Sequence, residues 1–170
     1  VPKAPINGIE LYYESHGDDS APAIVFAHGR GGNHMSWWQQ VAEFSGEFRC
    51  VTFDHRGWGA SIAEHGTPLR ENFIDDLAAL LDYLKIDKTF LVAQSMGGFS
   101  CLGFALAHSE RTLGLVLGDT TGGVATEGTL AALNNTNPAP EGPGRSLSAS
   151  FIQDNQALTL LYQQIQGLNP

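Results

Sequence analysis

Cysteine and positive charge are both scarce in this sequence. It holds two cysteines, Cys50 and Cys101, too few for a disulfide framework. Each lies in an apolar stretch, which suits a buried free thiol. No Cys-x-x-Cys pair or Cys/His spacing suggests a metal centre, and no metal is expected. Lys and Arg number 9 against 18 Asp and Glu, for a formal net charge of −9. That balance argues against a broad basic surface for nucleic acid or an anionic membrane. Long apolar runs are missing too. The longest, such as Ala23–Ala27, fall far short of the roughly 20 residues of a membrane-spanning helix. The opening Val1-Pro2-Lys3 does not read as a signal peptide. The expectation is a soluble, cytoplasmic protein.

What is present fits a folded domain. The chain has 170 residues, of which 42% are hydrophobic and 16% charged. This length matches one domain, with or without an appendage. Folding at this size hides roughly 70% of the unfolded surface, so a core forms without staples. Residues 9–14 are rich in strand formers. Ala23–Ala27 is a continuous apolar run, as expected for a strand buried on both faces. Similar strands are expected at Arg49–Phe53, 89–93 and 113–117. Between them, Trp37, Trp38, Val41, Ala42 and Phe44 recur at helical spacing. Residues 72–84 form an amphipathic pattern, with Phe73, Leu77, Leu80, Leu81 and Leu84 on one face and Asp75, Asp76 and Asp82 on the other. A small-residue helix runs from the Ser95 region to about His108. Strands alternating with helices predict an α/β fold, a mostly parallel sheet with helices on both faces. Residues 118–144 read as a loop rich in Gly, Pro, Asn and Thr. Helical periodicity returns over 148–167.

Three motifs carry chemistry. The first is Val92-Ala93-Gln94-Ser95-Met96-Gly97-Gly98, a buried strand running into a serine and straight on into a helix. This is the context of a nucleophile elbow, a strained turn that lifts the hydroxyl above the sheet. Small residues two before and two after the serine let strand and helix approach, and Ala93 and Gly97 fill those places. The alternative is a serine that only caps the helix. The second motif is His28-Gly29-Arg30-Gly31-Gly32, a glycine-rich loop after a strand. Acyl transfer needs two N–H donors aimed at a developing oxyanion, and the amides of Arg30 and Met96 are the candidates. The Arg30 side chain either sits at the mouth of such a site or points to solvent. His28 reads as a prop for the loop, with general base as the other possibility. The third motif, Asp54-His55-Arg56-Gly57-Trp58-Gly59, reads as a tight structural turn braced by Asp54 and Arg56.

In this order and spacing the three motifs resemble the α/β-hydrolase fold family, in particular its small serine esterase, lactonase and cofactor-free haloperoxidase branch. The resemblance implies Ser95 as nucleophile, Arg30 and Met96 as the oxyanion hole, and His28, Gly29 and Gly97 as structural support. The family's acid and histidine follow the nucleophile. His108 is the only histidine after Ser95, and it ends the helix that leaves the elbow. His16, His28, His34, His55 and His65 all precede it. The histidine is therefore expected outside this chain, and the acid with it, or else at Asp119. The resemblance further implies core over residues 1–119, a cap (lid) beginning over 120–170, and a chain truncated inside that cap. A small acyl substrate follows, an ester or lactone, with no metal or organic cofactor. A ligand-binding, receptor-like or noncatalytic protein on the same fold is the alternative. The missing strands imply pairing with a C-terminal fragment or self-association through an exposed sheet edge.

Overall fold

The computed structural model describes residues 2–64, 69–134 and 142–170. His65 and residues 135–141 of the expected loop lie outside the described residues. The strands are β1 (Lys3–Ile6), β2 (Ile9–His16), β3 (Ala23–Ala27), β4 (Arg49–Phe53), β5 (Thr89–Gln94) and β6 (Thr112–Gly118). They form one sheet in the order β1-β2-β4-β3-β5-β6. Strands β4, β3, β5 and β6 are parallel, while β1 and β2 complete one side antiparallel. The helices are α1 (Trp38–Phe44), α2 (Phe73–Tyr83), α3 (Gly97–Ala107), α4 (Glu127–Asn134), α5 (Ala149–Asp154) and α6 (Gln156–Gln166).

Period-2 alternation sends the side chains of β3 to both faces, and all five of its residues are buried. Val25 and Ala27 join Leu77, Leu80 and Leu81 of α2 and Cys101 and Phe104 of α3 in the larger core. Ile24 and Phe26 face the other way, packing with Cys50, Trp37, Val41, Phe48 and Phe90. Helices thus cover both faces, as the alternating pattern predicts. Both cysteines are free and buried.

The structure corrects the expected pattern at two places, Asp76 and residues 118–144, and adds detail at two others. Strand β1 has no counterpart in the sequence reading. Its signal is Asn7-Gly8, with φ of 45° and 79°, the two-residue turn that closes a β1–β2 hairpin. Ala4 and Ile6 alternate inward. Asp76, expected on the polar face of α2, is buried. Its carboxylate accepts Arg56 Nε at 2.9 Å and Nη2 at 2.7 Å, and Asn7 Nδ2 at 2.9 Å. The stretch 118–144, expected as loop, holds α4 and a 3₁₀ turn at Gly142–Arg145. Alpha-helical periodicity is weak in α4, and its Leu130 is exposed. The helical pattern expected over 148–167 is carried by two helices, α5 and α6, separated at Asn155 where φ is −131° and ψ 58°.

Strand β6 pairs with β5 and, among the described residues, with no strand beyond it. It exposes Leu113, Val116 and Leu117, Val116 at 59%.

The Arg56–Asp76 pair ties α2 to the β4 turn and, through Asn7, to the first hairpin. Both side chains are 3% exposed, so removing one partner leaves a buried charge uncompensated. Asp76→Ala should cost about 3–5 kcal/mol of unfolding free energy, read as a lower urea midpoint at unchanged m. Asp75→Ala, on the exposed side of the same turn, should stay within about 0.5 kcal/mol.

Candidate functional site

The parallel register fixes where the three motifs meet. Ala27 of β3 pairs beside Ala93 of β5, and Ala93 beside Leu117 of β6. The segments leaving these strands, at His28, Ser95 and Asp119, therefore emerge side by side at the carboxyl ends of the sheet, where ligands of open α/β sheets bind.

Ser95 stands between the end of β5 and the start of α3 with φ of 49°, the left-handed region that a non-glycine residue rarely enters. Its backbone is held on both sides. The amide donates to Gly118 O at 2.9 Å. The carbonyl accepts Gly98 N at 3.0 Å and Thr120 Oγ1 at 2.6 Å. Gly97 permits the turn, because a Cβ there would collide with the Ala27 carbonyl. Gly29 is crowded by side chains instead, since a Cβ would strike the Gln94 amide and stand 3.3 Å from Ser95 Cβ. The Ser95 hydroxyl makes no hydrogen bond to the described residues.

His28 is fully buried and its tautomer is fixed by its partners. Nε2 accepts His55 N–H at 2.9 Å, so Nδ1 carries the proton and donates to Gly29 O at 2.8 Å. Gly32 N–H also donates to Gly29 O, at 2.9 Å. Because the peptide is planar and trans, anchoring the Gly29 carbonyl aims the Arg30 N–H the opposite way. Burial pushes the His28 ring down to about 4, outweighing the pull of Asp54. His55 lies edge-on to His28, ring centroids 4.5 Å apart. Burial holds it well below the usual histidine range. Ser100 Oγ spends its hydrogen on Gly97 O at 2.9 Å, so His55 Nε2–H donates to Ser100 at 3.0 Å. Two neutral imidazoles thereby link the 29–32 loop to the first turn of α3. Both ring nitrogens of His28 are thus engaged, one by the loop it opens and one by the β4 turn.

Ser95, His28, Gly29, Arg30 and Asp119 line one cavity of about 960 Å³, together with Phe151, Leu161 and Ile165 from the last two helices. Met96, next to Ser95, lines a neighbouring cavity that shares Arg30. Asp119 is exposed, with φ of 49°. His108 stacks on Phe104 at the far end of α3, 4.7 Å between centroids. An 11-residue helix puts it about 16 Å from the elbow.

Several contributors had only weak signals in the sequence. Asn33 is buried and donates to Ile165 O at 2.7 Å. Asn169 donates to Gly32 O at 3.2 Å and accepts Gly59 N–H at 3.1 Å. The end of α6 is thereby clamped to the 29–33 loop. Trp58 Nε1 donates to Arg30 O at 2.7 Å. Asn33 could have been found as the cap of a short helix, since its side chain and Ser36 form a reciprocal capping box. His55, Ser100 and Asn169 meet only through long-range folding. Asp54 braces its turn as expected, accepting His34 N–H at 2.7 Å and Ala60 N–H at 2.8 Å.

Such a strand–turn–helix serine beside a glycine-rich loop, on a parallel sheet, defines a hydrolase-type α/β scaffold. Residues 22–142 match the sequence profile of the alpha/beta hydrolase fold family, and the chain belongs to that family. It is 33% identical over 120 residues to 3-oxoadipate enol-lactonase 1 of Acinetobacter baylyi, covering 71% of this chain and 45% of that protein. It thus spans less than half the length of this curated relative. Among solved structures it is similar to the enol-lactonase from Burkholderia xenovorans LB400, with TM-score 0.80, 28% identity, and 97% and 67% of the two chains covered. It is also similar to Est816, described as an N-acyl homoserine lactone degrading enzyme, with TM-score 0.75, 25% identity, and 98% and 65% covered. No helix of the described residues is long and apolar enough to cross a membrane.

The buried imidazole gives a pH prediction. An unfolded His28 titrates near 6.5 and the folded one near 4. Its contribution to stability is complete above pH 6.5 and is lost as pH falls from about 6.5 to about 4, because only the unfolded chain takes up the proton there. Unfolding free energy should drop over that window, and ¹⁵N shifts should show His28 neutral, protonated on Nδ1, at pH 5. An imidazolium signal for His28 at pH 6 would overturn the assignment.

Proposed function

We propose that this chain supplies the nucleophile and oxyanion hole of a serine hydrolase acting on an ester, lactone or related acyl substrate. The observation that carries the reading is the pinned left-handed Ser95, in one cavity with the anchored Gly29–Arg30 peptide. Ser95 Oγ adds to the acyl carbonyl while a histidine base from outside this chain takes its proton. The carbonyl electrons move onto oxygen, and the N–H groups of Arg30 and Met96 donate hydrogen bonds to the resulting oxyanion. Collapse expels the alcohol, or opens the lactone, and the histidine returns the proton to the leaving oxygen. Water repeats the sequence on the acyl-enzyme. Here Ser95 is the nucleophilic elbow, and residues 120–170 form the start of a cap whose helix α6 walls the substrate cavity. Asp119 is the acid in the variant of this scheme in which the incoming histidine reaches it. His28 is a positioning residue: a neutral ring already bonded at both nitrogens has no lone pair left to serve as base. The names of the relatives support lactones as the first substrates to try.

In the complete protein, Ser95→Ala should lower turnover of 4-nitrophenyl acetate on the order of a million-fold, as expected when a complete triad loses its serine. Residues 1–170 alone should work barely above background. Failure of Ser95 to react with an alkyl phosphonate probe in the complete protein would favour a binding protein on this scaffold instead. Serine-dependent turnover by the 170-residue polypeptide would place the base upstream.

The proposed partner surface is β6. Its outer edge carries unpaired N–H and C=O groups beside exposed Leu113, Val116 and Leu117, which recruit further strands. By analytical ultracentrifugation the 170-residue polypeptide should self-associate, or pair with a C-terminal fragment. A monodisperse, cooperatively melting monomer would contradict this.

A further inference from the structure

The five arginines whose side chains are described divide into two groups. Arg49, Arg56 and Arg111 each pair with an aspartate: Asp19 at 3.0 Å, Asp76 at 2.7 Å and Asp82 at 2.9 Å. Arg30 and Arg70 pair with no carboxylate among the described residues. These two unpaired cations line the same cavity of about 660 Å³, together with Trp58, Phe73, Met96 and Pro170, and no described acidic side chain joins them. In a chain of net charge −9, a cavity with two cationic side chains and no described acidic side chain is a local inversion of the field. Arg70 is not loose. Its guanidinium carbon lies 3.6 Å from the Phe99 ring centroid, which holds the planar donor fork in place. The cavity adjoins the Ser95 cavity at Arg30, which lines both.

We infer that the Arg30–Arg70 cavity is a recognition site for a carboxylate carried by the acyl substrate, so that anionic esters or lactones are preferred to neutral ones. The inference rests on the serine hydrolase reading for the identity of the ligand. The cation pair stands independently of it. A substrate whose carbonyl meets Ser95 extends past Arg30 into the second cavity. Its carboxylate there accepts charge-assisted hydrogen bonds from the guanidinium groups, while Trp58 and Phe73 flank its apolar stem. Charge-assisted bonds of this kind are worth roughly tenfold to a hundredfold in affinity.

The test uses the complete protein and two ester pairs, each differing mainly by a carboxylate. Mono-4-nitrophenyl glutarate against 4-nitrophenyl butyrate places it on the acyl side. The second pair, 3-acetoxybenzoate against phenyl acetate, places it on the alcohol side. In one pair or the other, Arg70→Gln should lower the anionic-to-neutral ratio of kcat/KM about tenfold or more. Arg70→Lys, which keeps the charge, should retain some of the preference. Ratios unmoved by Arg70→Gln in both pairs overturn the inference. A catalysis-free arm separates the two readings: glutarate binding to the Ser95→Ala protein, followed by tryptophan fluorescence, should weaken about tenfold or more on Arg70→Gln. If no ester is turned over, the hydrolase reading fails and this arm alone decides the anion site. Inorganic phosphate binding as well as glutarate, with no ester preference, would make the cavity a free-anion site and overturn the assignment to substrate. A thermal melt of Arg70→Gln matching the parent excludes unfolding as the cause.

Discussion

Strands β3, β5 and β6 lie parallel in a register that sets Ala27 beside Ala93 and Ala93 beside Leu117. The segments that follow them begin at nearly the same height, so a glycine-rich loop, a serine and an aspartate converge at one edge of the sheet. The register tolerates little at the crossing of β3 and α3. Gly97 has no room for a side chain against the Ala27 carbonyl, and Gly29 none against Gln94. A Cβ at Gly97 would push the helix start away from the strand and take Ser95 with it, whereas one at Gly29 would displace the Gln94 side-chain amide. The left-handed φ at Ser95 costs on the order of 1–3 kcal/mol. Three backbone hydrogen bonds, from Ser95 N–H and to Ser95 O, hold it against that cost.

Beneath this crossing lies a polar layer that an apolar core would not need. His28, His55 and Ser100 form a buried chain of hydrogen bonds from the Gly29 carbonyl to the Gly97 carbonyl. Its ends are the two segments whose amides the proposed mechanism uses. Keeping both rings neutral lets both nitrogens of His28 and Nε2 of His55 act as defined donors or acceptors, and burial enforces that neutrality. Arg56 and Asp76 act in the same way nearer the first hairpin, where their bidentate contact fixes α2 in place. Both networks carry a large penalty if half-broken, so they specify geometry more than they add stability.

Much of this was legible in the chain because its signals are local. A continuous apolar run such as Ala23–Ala27 reports burial on both faces. Ala93 and Gly97 around Ser95 report a close backbone crossing. The glycines after His28 report a loop with accessible amides. Other features were misread for equally local reasons. Helical periodicity assigned Asp76 to solvent, since periodicity cannot know that an arginine 20 residues earlier will arrive beside it. A stretch rich in Gly and Thr hid α4, whose residues carry little amphipathic pattern. The Asn7-Gly8 hairpin signal stood in the sequence and marks β1.

The sequence by itself determined the alternation of β3 to β6 with α1 to α3, the burial of the central strands and the turn at Ser95, because each follows from the size, polarity and spacing of residues near one another in the chain. Only the tertiary structure decided that His28 is a doubly bonded neutral prop, that Asn33 and Asn169 clamp α6 to the loop, and that Arg30 and Arg70 line one cavity with no acidic side chain among the described residues. Those outcomes depend on which groups meet across separations from 27 to 137 residues of chain, and on whether water reaches them. Long-range contact and desolvation, rather than residue type, set the charge state and partner of a side chain.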